Sequence, residues 1–168
     1  DVLYTIPFGL VYSRCRKRLE QAYSADILEL PMIPVIQRNG QDSPKALQAL
    51  CRIVEERTKK VGATLEEFFA ERVALERLCR LSGGHVRTLF MLLRSSLARC
   101  QRLPVTAEIV ERTVRRQADD ISLPLGAKEF DVLRLVHQTK TPANEDLELW
   151  YGLLRDLFVF AYRDQEGV

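Results

Sequence analysis

The stretch Ser82-Gly83-Gly84-His85-Val86-Arg87-Thr88-Leu89 decides how this 168-residue chain is read. Two consecutive glycines after a helical pattern supply the left-handed backbone that ends one helix and turns the chain sharply into the next. Arg87 then falls in the first turn of that next helix. A cation there opposes the helix dipole, so helix propensity alone does not place it. Beside the free N–H groups of a helix start, an arginine makes sense where the site meets an anion such as phosphate. A plain helix-ending turn followed by a surface arginine gives the same pattern, and the motif by itself leaves both readings open.

Outward from this motif, the sequence is helical in both directions. Ser43-Pro44 combines an N-cap with proline at the first helical position. Leu47, Leu50, Ile53, Val54 and Val61 share one face of the helix that follows, and Gly62 closes it. Thr64-Leu65-Glu66-Glu67 is a capping box opening a second helix, which carries Phe68, Phe69, Val73, Leu75 and Leu78. After the double glycine, Val86, Leu89, Phe90, Leu93, Leu97 and Cys100 form a third apolar stripe that stops before Pro104. Thr106 caps a fourth helix with Ile109, Val110 and Val114. These segments predict a helical bundle over about 43–120.

The flanks read differently. Residues 2–6 (Val-Leu-Tyr-Thr-Ile) are a short β-rich run ended by Pro7, and residues 27–30 are a second strand candidate followed by Pro31 and Pro34. Residues 13–23 alternate basic and apolar positions as an exposed helix does. Asn39-Gly40 marks a turn. Beyond the bundle, residues 121–126 read as a linker. Helices are then expected over 128–137 and from Thr141-Pro142 through Trp150 and Leu154. A β-like run at 158–162 and a hairpin turn at 163–167 complete a winged-helix pattern whose second wing strand lies beyond Val168. The resulting expectation is a mainly α chain in three parts: an N-terminal α/β remnant (1–42), the helical bundle (43–120) and a winged-helix-like domain (121–168). It is read as a segment of a longer protein.

Composition narrows the function classes. The chain is 46% hydrophobic and 29% charged, which is ordinary for a globular domain. It shows neither a secretory leader nor an apolar run long enough to span a bilayer, so a cytoplasmic location without membrane contact is expected. Cys15, Cys51, Cys79 and Cys100 are widely spaced, and the two histidines, His85 and His137, lack metal-ligand spacing. No metal site is expected, and the cysteines read as reduced thiols. Nucleophile and metalloprotease motifs and phosphate-binding glycine loops are absent from the sequence, so no catalytic residue is assigned.

Charge is unevenly spread. Residues 85–116 carry seven basic groups, all arginine, against two acids, whereas residues 117–168 carry five basic groups against ten acids. Arg94, Arg99, Arg102, Arg112, Arg115 and Arg116 face phosphates, form solvated outer faces or make a seam facing the acidic tail. Phe68-Phe69, Trp150-Tyr151 and the aromatics of 158–162 have core-like spacing, although stacking on single-stranded nucleic acid uses the same residue types.

The order of strand, helix, strand and helical bundle, with Gly-Gly-x-x-Arg opening the third bundle helix, resembles the C-terminal half of AAA+ ATPases. The likeness is greatest to the AAA+/STAND branch, in which a winged helix follows the helical lid. It covers essentially the whole chain and rests on residues 2–7, on Glu29-Leu30-Pro31 and on the Ser82–Leu89 motif. The resemblance implies that Thr5 is the sensor-1 position near the γ-phosphate. It makes Arg87, presented by the Gly83-Gly84 turn, the sensor-2 arginine of the lid. It also places an arginine finger among Arg14, Arg16 and Arg18. The cofactor implied is ATP or ADP with Mg in the intact parent. None is expected for this segment alone, which lacks the Walker A and B motifs and so is not an enzyme by itself.

Under this reading the lid senses ATP and relays nucleotide state to a winged-helix module that contacts a partner protein or a neighbouring subunit. A DNA-binding winged helix is the alternative. It is disfavoured by the excess of acids over 117–168 and by Glu145, Asp146, Glu148 and Asp156 on or beside its recognition helix at 144–155. A helical interaction scaffold with no nucleotide role is the third reading.

Overall fold

A computed structural model describes residues 4–6, 8–11, 13–23, 27–28, 32–37, 39–141, 146–160 and 162. The described residues are mainly helical, in the order α1 (Phe8–Val11), α2 (Arg16–Tyr23), α3 (Pro44–Lys59), α4 (Leu65–Phe68), α5 (Arg72–Leu81), α6 (Val86–Arg99), α7 (Ala107–Ser122), α8 (Ala127–Thr139) and α9 (Leu147–Arg155). No sheet forms among them; the pairings outside helices are single bridges, Ile36 with Asp42 and Phe69 with Val105. Two compact units result, one of residues 32–124 and one combining 1–31 with 125–168.

In the 32–124 unit, α3, α4 and α7 start where short polar side chains cap them. Ser43 accepts from the Ala46 N–H ahead of Pro44, and Thr106 accepts from the Ile109 N–H. Thr64 and Glu67 exchange the two bonds of a capping box. Against one another, α3, α5, α6 and α7 pack the faces carrying Leu50, Val54, Leu75, Leu78, Leu89 and Val110, all nearly or wholly excluded from water. Each such leucine contributes about 2 kcal/mol by leaving water.

The second helix of this unit differs from expectation. In place of one helix from Thr64 through Leu78, the chain leaves α4 at Phe69, takes an extended conformation (φ −126°, ψ 127°) and restarts as α5 at Arg72. The cause is tertiary. Phe69 is buried and bridges Val105, with Val105 N–H donating to Phe68 O at 2.7 Å and Ala70 N–H to Val105 O at 3.0 Å. The restart changes the helical phase: Ala74, Leu75, Leu78 and Cys79 face the core, while Val73 points outward. Val61, expected on the apolar face of α3, lies beyond the end of that helix and is exposed.

The other unit comprises residues 1–31 and 125–168. Within it α9 packs against α1 and α8, with Trp150 and Leu154 buried against the half-buried Val132, Val136 and Val159. Asp146 caps α9 by accepting from the Leu149 N–H at 3.1 Å. In the expected first strand, residues 4–6 have no regular secondary structure, and 1–3 lie outside the described residues. In the second, residues 27–28 are likewise irregular, while Glu29, Leu30 and Pro31 lie outside. At the C-terminal end, residues 158–160 form no ladder, and the expected hairpin at 163–167 lies outside the described residues.

At the double glycine the backbone is closely approached. Gly83 and Gly84 have φ of +60° and +77°. A Cβ on Gly84 would stand 1.7 Å from the carbonyl oxygen of Ile33 and 2.7 Å from its carbon, whereas one on Gly62 (φ +74°) would meet nothing within 4 Å. The two positions share a conformation but not a neighbour. Gly62→Ala is therefore expected to cost about 1 kcal/mol, the left-handed penalty alone. Gly84→Ala adds a collision with rigid backbone and should cost at least about 3 kcal/mol. Urea unfolding midpoints of the two variants check this, and equal losses would refute the close approach.

Candidate functional site

The site expected around Arg87 is built by three consecutive layers of local structure. At the end of α5, Ser82 is fully buried; its N–H donates to Leu78 O and its hydroxyl to Cys79 O at 2.7 Å, while its Oγ accepts from the Gly84 N–H at 3.2 Å. The turn therefore satisfies its own polar groups without water. Gly83 and Gly84, both buried, then reverse the chain against Ile33. His85 closes the turn with its N–H donating to Ser82 O at 3.0 Å, and α6 begins.

At this helix start the usual compensation is missing. His85 occupies the N-cap position and makes no side-chain cap bond, and the first turn of α6 contains no acid. The imidazole is engaged sideways instead, with Nδ1 at 2.7 Å from Thr88 Oγ1. Arg87 is exposed, and no carboxylate pairs with it among the described residues. Helix N–H groups without a side-chain cap and a free guanidinium thus stand side by side on a rigid turn. Both attract anions.

Further along α6, Met91 and Arg94 are also exposed. Spacings of four and seven residues put them on the same face as Arg87. Arg94 lies about 10 Å farther along the axis at 1.5 Å per residue, so Arg87 is the cation that belongs to the helix end. Arg57, which sequence reasoning did not single out, holds its guanidinium 5.2 Å from the centroid of the Phe90 ring. That cation–π contact joins the α3 and α6 segments, and no sequence spacing announces it.

The other arginines of the basic segment fare differently. Arg112 pairs with Glu108 at 2.6 Å, Arg116 with Asp120 at 3.8 Å, and Arg77 draws Glu111 to 2.9 Å. Arg99 donates to the Ser95 carbonyl at 3.0 Å. In the other unit, Arg14 pairs with Glu148 at 3.3 Å and Arg16 with Glu20 at 2.9 Å, while Arg18 is exposed. Thr5 is exposed in irregular backbone of that same unit, so Thr5 and Arg87 belong to separate units. Trp150 and Phe69 are buried core residues, and Tyr151 is partly exposed. No group of three or more metal-ligating side chains occurs among the described residues, and no described helix is long and apolar enough to cross a membrane.

Compared with protein-family models, curated proteins and solved structures, the chain gives no match.

Electrostatics around the turn can be read from His85. Burial, and secondarily the charge of Arg87, hold its imidazole below the ordinary value of 6.5. As pH falls, the unfolded chain takes up this proton before the folded one. The stability contributed by neutral His85 is therefore complete above about 6.5 and is lost as pH drops through that value toward the folded one. A proton NMR titration, with His137→Gln used for assignment, should place His85 below 6.5. Arg87→Ala should raise it only part of the way, because burial is the larger cause. A midpoint at or above 6.5 would contradict the described surroundings.

Proposed function

We propose that this chain is the sensor-and-lid portion of an AAA+/STAND-type ATPase, in which Arg87 reads the phosphates of bound ATP and passes nucleotide state to the adjoining helical segments. The observation that carries the reading is the unpaired, exposed Arg87 at the uncapped and acid-free start of α6, fixed by a turn whose glycine packs on the Ile33 backbone. A guanidinium so held can place charge-assisted donors on a phosphate without first breaking an ion pair.

The residues present suit one part of a nucleotide site. Arg87 and the first N–H groups of α6 are donors for phosphate oxygens, and the sequence holds no glycine loop with its lysine and no acidic strand end for Mg. Those groups belong to the parent's core, together with the chemistry of phosphoryl transfer that ATP and Mg supply there. In this reading Thr5 is the sensor-1 residue of that core. The lid contributes a positioned cation that stabilises charge on the γ-phosphate and links its presence to lid angle. The output is a contact between the C-terminal helical segment, rich in acids over 117–168, and a partner protein or neighbouring subunit.

Arg87→Ala in the intact ATPase is expected to lower ATP turnover by one to several orders of magnitude, as loss of a transition-state arginine does. Arg94→Ala, on the same face but two turns away, should change it little. Unchanged turnover in the Arg87 variant would remove this residue from the site. Salt-sensitive binding of the chain to duplex DNA, abolished by Arg94→Ala together with Arg115→Ala, would favour the nucleic-acid reading instead.

A further inference from the structure

Cys51 on α3 and Cys79 on α5 face each other inside the core of the 32–124 unit, with Sγ atoms 3.8 Å apart. Both side chains are almost wholly excluded from water. Their positions are 28 residues apart in the chain, on helices that pack directly against each other. We propose that Cys51 and Cys79 are a redox modification site: a peroxide of the hydrogen-peroxide or small alkyl-hydroperoxide class converts them reversibly to a disulfide that ties α3 to α5. This inference does not depend on the nucleotide reading.

The geometry is close to what the bond needs. A disulfide requires about 2.05 Å between sulfurs, so the pair must close by roughly 1.8 Å, within reach of side-chain rotation and a small helix adjustment. The neighbouring sulfurs do not compete. Cys100 directs its thiol to Arg102 O at 2.8 Å, and Cys15 lies in the other unit. The asymmetry of the pair assigns the order of steps. The thiol–thiol contact with Cys79 holds the Cys51 thiol below its ordinary range, while the same contact and burial push Cys79 up. Cys51 is accordingly the sulfur that ionises and attacks.

The Cys51 thiolate attacks one peroxide oxygen, the O–O bond breaks, and the departing hydroxide or alkoxide takes up the proton that Cys51 released. Cys51 is then a sulfenic acid. The Cys79 sulfur attacks the Cys51 sulfur, the S–O bond breaks, and the hydroxyl leaves as water with the Cys79 proton. The two thiols have together given two electrons to the peroxide. A dithiol returns two electrons and two protons, becomes a disulfide itself, and restores both thiols. Burial sets the range of oxidants: a small peroxide enters during local opening, whereas a protein disulfide has no access to either sulfur.

The test uses the full chain, reduced and then exposed to hydrogen peroxide, quenched, alkylated under denaturing conditions and mapped by mass spectrometry. The expected result is a peptide pair joining Cys51 to Cys79, lighter by two hydrogens than the two reduced peptides and absent after dithiothreitol. The oxidised chain should also melt several degrees higher, because a closed loop of this length restricts the unfolded state. Cys79→Ser should abolish both the link and the shift and leave Cys51 alkylatable or further oxidised. Where a core serine prevents folding, the Cys15→Ser, Cys100→Ser double variant serves, since it should still form the link and lose all free thiol. Full alkylation of both cysteines after peroxide would overturn the proposal. So would cross-linking through Cys15 or Cys100 alone.

Discussion

The contact between Gly84 and the carbonyl of Ile33 is the constraint on which the rest of the 32–124 unit depends. The distance available at that point admits a hydrogen and no carbon. This holds the segment at 32–35 against the junction of α5 and α6, and Val35, two residues on, is completely buried. From Val35 the chain is bound into the turn that leads to α3: Ser43 N–H donates to Val35 O at 2.9 Å, and Gln37 N–H to Gln41 O at 2.7 Å. The start of α3 and the start of α6 are thereby set by one backbone approach. A turn held this closely cannot adapt by loop motion, so α6 inherits its direction from α5 and the 32–35 segment.

Local chemistry was legible in the sequence wherever a cap or a glycine decided the outcome. Ser43-Pro44, the Thr64–Glu67 box, Thr106 and the double glycine all act within four residues of themselves, and each helix start they mark is found there. What was not legible depended on a partner far along the chain. Phe69 fits a helical apolar stripe as well as a buried extended residue, and only Val105, 36 positions later, selects the second. Once it does, the helix must restart in a new phase, and Val73 exchanges a core position for solvent while Ala74 takes one. Arg57 over Phe90 and Cys51 against Cys79 are invisible for the same reason. At the termini, residues 4–6, 27–28 and 158–160 form no strand, and the remaining residues of the strand and wing expectations fall largely outside the described portion.

The candidate site divides in the same way. Gly-Gly followed by arginine at the third position after the second glycine was legible, since it combines a turn requirement with a charge that the helix dipole disfavours. The sideways engagement of His85 with Thr88 was not, because a histidine at an N-cap position has the option of bonding backbone or side chain, and burial chooses. That choice matters to the site. By spending its ring nitrogen on Thr88, His85 leaves the first N–H groups of α6 without a side-chain acceptor.

Why Arg87 remains unpaired follows from where the acids are. Helix α7 carries Glu108 and Glu111, with Asp120 one turn from Arg116, and these side chains engage Arg112, Arg77 and Arg116. Helix α6 has no acid along its length, so its arginines have no partner at the three- and four-residue spacings where pairs form on a helix. Exposed pairs of this kind contribute little to stability, so their absence from α6 costs the fold almost nothing. Its consequence is electrostatic. The positive potential of Arg87 adds to that of the helix end rather than being cancelled by a neighbour. Because the turn beneath it is clamped by Gly84 and Ile33, under the proposed reading an anion drawing on Arg87 would pull on the α5–α6 junction as a body rather than on a loose loop.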